Sequence, residues 1–322
     1  MPEISVIIPA YNAENTILET VSSVLVQTFL DFELIIINDG STDNTLKCLE
    51  FFNDPRIKIF NYQNGGLATA RNRGIEVSQG DFLAFLDADD LWTSDKLELQ
   101  LKALKEKPEA KVAYSWTYFM DEKGEVCHTA QPILFEGNVL ENLLTWNFIA
   151  SGSNPLICRG AIESVGFFDT DLSGAADWDY WIRLAKDFHY VVVAKEQVFY
   201  RQSRKSMSSK IEYMEECQLN VINKFFANST YISPSLKRKI FSNIYRYSAK
   251  LYTDRSTNQE DIRLALSKLI SAFRCYPKSM ISYETIRITM KVLIFSIFPF
   301  EFADYWLGKV NRARAKPRNL SS

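Results

Sequence analysis

Ala84-Phe-Leu-Asp-Ala-Asp-Asp-Leu-Trp92 sets three carboxylates, Asp87, Asp89 and Asp90, within four residues directly after an apolar run. Like charges this close repel by about 1 kcal/mol per pair in water, and by more where the protein lowers the dielectric. Two readings explain such crowding at the end of a buried strand. Either a bound cation offsets the charge, or a polar loop uses its aspartates to cap the next helix.

The sequence on either side makes the stretch part of a repeating pattern. Ser5–Ile8, Phe32–Ile37, Ile57–Phe60 and Phe82–Leu86 are apolar, β-rich runs of the kind that form strands buried on both faces. Between them, Thr16–Val26, Asp43–Phe52 and Ala68–Val77 carry apolar residues at helical spacing. Ser41 or Thr42 can cap the second of these helices, and Gly80 follows the third. Strand–helix alternation predicts an α/β fold whose parallel sheet binds ligands at the carboxyl ends of its strands. Three polar loops meet at that edge: Pro9-Ala-Tyr-Asn12, Asn38-Asp-Gly-Ser-Thr-Asp43 and Asp87–Asp90.

Further along, Ser94–Lys107 reads as a helix stopped by Pro108, followed by a strand over Val112–Phe119 and a turn at Glu122–Glu125. Val139–Trp146, Asn154–Cys158 and Asp177–Lys186 continue a mixed pattern, with short strands at Val191–Ala194 and Val198–Tyr200. Helical periodicity takes over through Tyr213–Phe226, Pro234–Tyr252 and Glu260–Cys275. The expected division is therefore a sheet domain over 1–210 and a helical extension over 211–322.

Near the end, Val292–Phe300 is an apolar run broken by Pro299, too short for the roughly 20 residues that span a bilayer. Phe302, Tyr305 and Trp306 follow, then Lys309, Arg312, Arg314, Lys316 and Arg318 with no acid among them. One reading is peripheral contact with an anionic membrane surface. The other is an ordinary core helix followed by a basic tail.

Composition narrows the function classes. With a formal net charge of -2 the chain lacks the global basic excess of nucleic-acid binders, and none is expected as a partner. The five cysteines are scattered, with no C-x-x-C pair, as in a protein with reduced thiols. His128 and His189 are the only histidines, which excludes a multi-histidine metal site. The opening residues lack the basic region and long apolar core of a signal peptide, so a cytoplasmic location is expected. No P-loop or dinucleotide-binding glycine pattern follows a strand.

Four motifs occur in order: Val6-Ile-Ile-Pro-Ala-Tyr-Asn12, Ile36-Ile-Asn-Asp-Gly-Ser-Thr-Asp43, Asn64–Gly74 and Phe85-Leu-Asp-Ala-Asp-Asp90. In this series, over roughly residues 3–205, the chain resembles the inverting family 2 glycosyltransferases of the nucleotide-diphospho-sugar transferase superfamily. The resemblance implies a GT-A fold, a mostly parallel sheet flanked by helices, and a metal-dependent transfer from a UDP-sugar. Pro9, Ala10, Tyr11, Asn12, Asp39, Arg71, Asp87 and Ala88 would bind the donor nucleotide. Tyr11 would lie beside the uracil and Asp39 would accept from its ring N–H. Arg71 would reach the base or phosphates, and Asp87 would bond the ribose. On residue chemistry alone, Tyr11 is equally a strand-end aromatic, Asp39 a turn residue and Arg71 a solvated helix charge. Asp89 would hold Mn²⁺ or Mg²⁺ across the diphosphate, as hard oxygen ligands suit those ions. For Asp90 a capping or supporting role is expected.

Ser173-Gly-Ala-Ala-Asp-Trp-Asp-Tyr-Trp-Ile-Arg183 resembles the family's acidic element, with Ala176 where Glu is usual and Asp177 retained. The resemblance makes Asp177 the base that deprotonates the acceptor hydroxyl; its alternative is a helix N-cap, and Asp179 is the weaker base candidate. Trp178 and Trp181 form either a sugar-stacking platform or core. In Tyr200-Arg-Gln-Ser-Arg-Lys205, Ser203 stands where many relatives carry His. Arg204 and Lys205 either clamp the diphosphate or sit in a solvated loop. The implied acceptor is a glycan or lipid-linked hydroxyl in cell-surface polysaccharide synthesis, at the inner face of the membrane. The alternatives are a nucleotide-sugar-binding protein without catalysis and a nucleotidyltransferase on a similar sheet.

Overall fold

The computed structural model describes residues 1–172, 174–203, 209–228, 232–303 and 305. The chain forms two compact units, Met1–Ser209 and Lys210–Ser322.

In the first unit β1 (Ile4–Ala10) and β2 (Phe32–Asp39) are buried at every position, as expected of parallel strands covered on both faces. Burying one Ile or Leu side chain contributes about 1.5–3 kcal/mol, so these two runs anchor the core. β1 lies between β2 and β4 (Phe82–Phe85), parallel to both, and β3 (Ile57–Tyr62) flanks β2. Register places Ala10 beside Asn38 and Ile7 beside Phe85. Tyr11, Asp39 and Asp87 therefore leave the sheet at one edge.

On the other side the sheet is mixed. β8 (Leu156–Cys158) is antiparallel to β4 and to β6 (Ala110–Met120), whereas β9 (His189–Arg201) is parallel to β6. β5 (Leu91–Trp92) closes the far edge against β9, and β7 (Val126–Thr129) forms a hairpin with β6. The chain turns into β7 at Gly124, whose φ is +84°. β9 is one strand where the sequence suggests two. Its polar centre, Lys195-Glu196-Gln197, interrupts the apolar pattern where the pairing with β6 slips register.

The helices of this unit are α1 (Ile17–Leu25), α2 (Thr45–Leu49), α3 (Leu67–Val77), α4 (Lys96–Glu106), α5 (Leu140–Thr145), α6 (Arg159–Val165) and α7 (Ala176–Asp187). α2 is shorter than its sequence pattern suggests, and neither Ser41 nor Thr42 caps it. Asp43 does that work, accepting from the Thr45 amide at 3.0 Å and from the Thr45 hydroxyl.

The second unit contains α8 (Ile211–Ala227), α9 (Pro234–Asp254), α10 (Gln259–Cys275) and α11 (Tyr283–Ile297). Ser233, Asn258 and Ser282 cap the last three, each side-chain oxygen accepting from amides of the first turn. Tyr252, Ile262, Leu269, Ile288, Val292 and Phe295 pack into one core. Part of the apolar run at 292–300 is thus ordinary core. Among the described residues, no helix is long and apolar enough to cross a membrane.

Candidate active site

The loops after β1 and β2 interlock. Asn12, at φ +49°, accepts from the Thr42 amide at 2.8 Å, and its own amide donates to the Ser41 hydroxyl at 3.0 Å. Asn tolerates this left-handed conformation better than most residues. Pro9 and Ala10 are buried in β1, while Tyr11 beyond them is 52% exposed and offers a ring face at the sheet edge. Gly40 makes the tight approach between loops: φ is +77°, and a Cβ there would lie 2.7 Å from the Asn64 amide nitrogen.

Asp39 is buried and already heavily engaged. It accepts from the amides of Gly65 (3.0 Å) and Gly66 (2.8 Å), and from the Arg73 guanidinium at 2.7 Å. A carboxylate at the start of α3 complements the helix dipole there. Asp39 therefore fixes the Gly65–Gly66 loop, a structural duty beside the one implied for it. Arg73 also lies over the Tyr62 ring, 4.5 Å from its centroid.

Arg71 points the other way. It is buried, not a solvated helix charge, and its guanidinium bonds Asp87 at 2.6 Å. It lies 5.4 Å from the Phe168 ring centroid, and a Cβ at Gly152 would come within 2.3 Å of its Nη2. The Asp87 amide donates to the Ser153 hydroxyl at 3.0 Å. Thr16, at the N-cap of α1, and Thr20 within it donate to the Ala88 carbonyl at 2.8 and 3.0 Å, and Thr20 also reaches the Asp90 carbonyl. The acidic turn is thus held by its backbone, leaving side chains for other work.

Asp90 is fully buried and supports rather than binds. Its carboxylate accepts from Ser153 (2.6 Å), Ser151 (3.2 Å) and the Arg201 amide (2.9 Å). It does not cap α4, where the N-cap position belongs to Asp95. The Arg201 guanidinium, itself buried, donates to the Asp89 carbonyl at 2.8 Å and to Glu19 at 2.5 Å. Burial, then the nearby Asp87 charge, pushes the Asp89 carboxyl up to about 6, and burial with the Asp89 and Asp87 charges raises that of Asp90 as well. Asp89 carries a charge that its surroundings do not fully offset.

Asp177 lies in the first turn of α7, and the N-cap is Ala175, not Asp177. Its carboxylate accepts from the Trp178 amide at 2.7 Å. Burial raises its carboxyl above the ordinary range; Arg71 and the Trp178 amide pull it back, and Asp87 pushes it up again. Asp177, Arg71 and Asp87 therefore feel one another electrostatically. A bridge between α3 and the loop before α7 supports this grouping: the Asn72 side chain exchanges two hydrogen bonds with the Phe168 backbone, at 2.8 and 2.9 Å. Phe168 then stacks on Tyr180, with centroids 3.9 Å apart.

The other candidates of α7 are core. Trp178 is buried and donates its indole N–H to the Leu143 carbonyl at 2.8 Å, and Trp181 is fully buried, so neither forms a stacking platform. Asp179 is buried against Arg183 at 2.8 Å, a pair one helical turn apart. Ala176 is also buried. Arg204 and Lys205 lie outside the described residues.

The sequence did not single out Arg73, Arg201, Ser151, Ser153 or Asn72. Arg201 was visible only as the second residue of Tyr200-Arg-Gln. The serines sit in a loop with no periodic signal.

This chain matches the glycosyltransferase-like family 2 over residues 5–268 and belongs to that family. It is 43% identical over 189 residues to a glycosyltransferase of Rickettsia conorii, covering 57% of this chain and 30% of that protein. Over 103 residues it is 48% identical to the Escherichia coli UDP-Glc:alpha-D-GlcNAc-diphosphoundecaprenol beta-1,3-glucosyltransferase WfgD, covering 31% of this chain and 40% of that one. The matched parts are thus well under half the length of these relatives. Among solved structures, S. aureus TarS 1-349 in complex with UDP aligns with a TM-score of 0.61 at 18% identity, covering 96% of this chain and 92% of that one. The mannosyltransferase PcManGT of Pyrobaculum calidifontis, in complex with GDP-Man and Mn2+, aligns at 0.60 and 17%, covering 95% and 83%. The structural likeness is one of fold, the GT-A glycosyltransferase fold.

Proposed function

We propose that this glycosyltransferase moves a sugar from UDP to an acceptor hydroxyl with inversion, and that the transfer depends on Mn²⁺ or Mg²⁺. The observation that carries this reading is the convergence of Asp87, Arg71 and Asp177 beside the exposed Tyr11 edge. UDP in the TarS complex and the UDP-glucose in the name of WfgD support the choice of donor.

Tyr11 offers its face to the base, and Asp39 holds the loop that closes around it. Arg71 fixes Asp87 for the ribose and adds positive charge near the diphosphate. Among the described residues no three His, Cys, Asp or Glu side chains gather as a ligand set. Carboxylate oxygens such as those of the acidic turn suit Mn²⁺ or Mg²⁺, hard ions that take few protein carboxylates. Asp89, with its poorly offset charge, would hold the ion, which when bound neutralises the diphosphate. The Mn2+ in the PcManGT complex is consistent with this fit.

Asp177 takes the proton from the acceptor hydroxyl as that oxygen attacks the anomeric carbon. The bond from this carbon to the diphosphate oxygen breaks on the opposite face, and UDP leaves. The raised Asp177 carboxyl suits a base, because it holds the abstracted proton more firmly than an ordinary aspartate. The acceptor is a lipid-linked or glycan hydroxyl in surface-polysaccharide synthesis, a reading supported by the names of the relatives, which include the diphosphoundecaprenol-directed WfgD and the Pasteurella multocida hyaluronan synthase. The test is UDP release across a panel of UDP-sugars, with and without Mn²⁺. Release from one sugar, abolished by EDTA and restored by metal, is the expected result. Metal-independent release, or no release with any UDP-sugar, overturns the reading.

A further inference from the structure

α11 carries two apolar faces where a surface helix needs one. Thr285, Ile288, Val292 and Phe295 are buried in its own unit. Ile286, Met290, Leu293 and Ile297 point outward, 49%, 54%, 47% and 72% exposed. Their spacing of four, three and four residues makes a continuous stripe along one side of the helix. Phe298, Phe302 and Tyr305 continue the exposed apolar surface beyond its end. An exposed stripe of this length marks an interaction surface.

The charges say what covers it. Between Glu284 and Glu301 the chain has Arg287 and Lys291 and no acid. Lys291 is paired with Asp254 at 2.6 Å, which leaves Arg287 as the cation on this stretch without an acidic partner among the described residues. Glu284 itself is engaged by Arg246 at 3.2 Å and Lys250 at 3.5 Å. From Tyr305 to the last residue the sequence has Lys309, Arg312, Arg314, Lys316 and Arg318, again without an acid. A second copy of the same surface would bring like charges together. An anionic bilayer surface offers hydrocarbon for the stripe and negative headgroups for the cations. Aromatic residues favour that same boundary between apolar and wet surroundings.

We propose that the outer face of α11, through Ile286, Met290, Leu293 and Ile297, seats this protein on an anionic lipid surface. The face lies parallel to the membrane and does not span it. This assignment is independent of the donor reading, which UDP release tests separately.

The experiment is flotation of the full chain with vesicles of phosphatidylcholine alone or with a quarter phosphatidylglycerol. Binding is expected only to the mixed vesicles and should weaken at least tenfold as salt rises from about 0.1 to 0.5 M. Met290→Asp with Leu293→Asp should lose binding at least tenfold while leaving the melting temperature and UDP release intact, since both side chains point outward. Arg312→Glu with Arg314→Glu should weaken binding to the mixed vesicles. Absence of binding by the parent chain, or a Met290/Leu293 variant that binds like the parent, overturns the proposal. So does light scattering that shows a dimer which the same variant converts to monomer, because the stripe is then a self-interface.

Discussion

Changing Asp177 to Asn separates catalysis from structure with one atom. The Asn carbonyl can still accept from the Trp178 amide, now at 2.7 Å, and no helix cap is lost because Ala175 holds that position. Stability should change by no more than about 1 kcal/mol, the worth of one hydrogen bond. Asn cannot take a proton, so kcat should fall by about 10²–10⁴-fold, equivalent to roughly 3–5 kcal/mol in the transition state. Donor affinity should hold, since the Arg71–Asp87 pair is untouched. Asp179→Asn is the mirror image. It removes the charge that faces Arg183 at 2.8 Å; Arg183 keeps its bonds to the Val165 and Phe167 carbonyls and is partly exposed, which reduces the loss to about 2 kcal/mol. For a unit of this size that lowers the melting temperature by about 4–8 °C with kcat nearly unchanged.

The assay is paired: steady-state transfer with saturating donor, and thermal melting of each variant. The parent should also show an acid limb in kcat. Because burial raises the Asp177 carboxyl, the base is protonated, and activity lost, at a higher pH than an ordinary aspartate near 3.9 would give. The same sign means that this carboxyl favours the native state less once pH rises through its folded pKa. If Asp177→Asn keeps more than a tenth of kcat, Asp177 is not the base. If Asp179→Asn loses kcat with an unchanged melting temperature, the base belongs to the other aspartate.

Asp89→Ala should remove the metal requirement together with most turnover while melting stays close to the parent; unchanged activity in this variant would refute the metal assignment. Asp90→Ala leaves Ser151, Ser153 and the Arg201 amide without their acceptor, and should cost about 3 kcal/mol in denaturant unfolding. A loss below about 1 kcal/mol would show that water replaces the carboxylate. Gly152→Ala touches no proposed ligand, yet its Cβ would press within 2.3 Å of Arg71 Nη2. It should raise KM for the donor about tenfold by weakening the charge-assisted bond to Asp87, and an unchanged KM would mean Arg71 yields without consequence.

Much of the fold was legible because its central strands are buried on both faces. β1 and β2 are continuous apolar runs, and no helical reading fits runs that short between caps and turns. The elements that escaped are those without such a signature. β7 is exposed at all its positions, and β5 is two residues long, held in place by Phe199 and Val198 of β9. Residues 292–300 were ambiguous because α11 is apolar on both sides, one facing its own core and one outward.

The site shows where local pattern runs out. Arg71 and Arg73 are two residues apart on α3, which turns them by about 200° around its axis. They cannot both serve one ligand, and spacing alone says so. It does not say which arginine faces the acidic turn. That depends on the sheet order, which sets β1 between β2 and β4 and leaves α3 between Asp39 on one side and Asp87 on the other. Arg201 is a stronger case, since it lies more than a hundred residues from the Asp89 carbonyl it holds. The antiparallel β5–β9 pairing, with Leu91 opposite Phe199, brings it there, and a strand of two residues has no periodicity that could reveal it. The side chains proposed for the chemistry are readable from their local motif. The ones that aim them are readable only once the strands are paired, so a substitution at Arg201, Ser153 or Gly152 acts on the site through the fold.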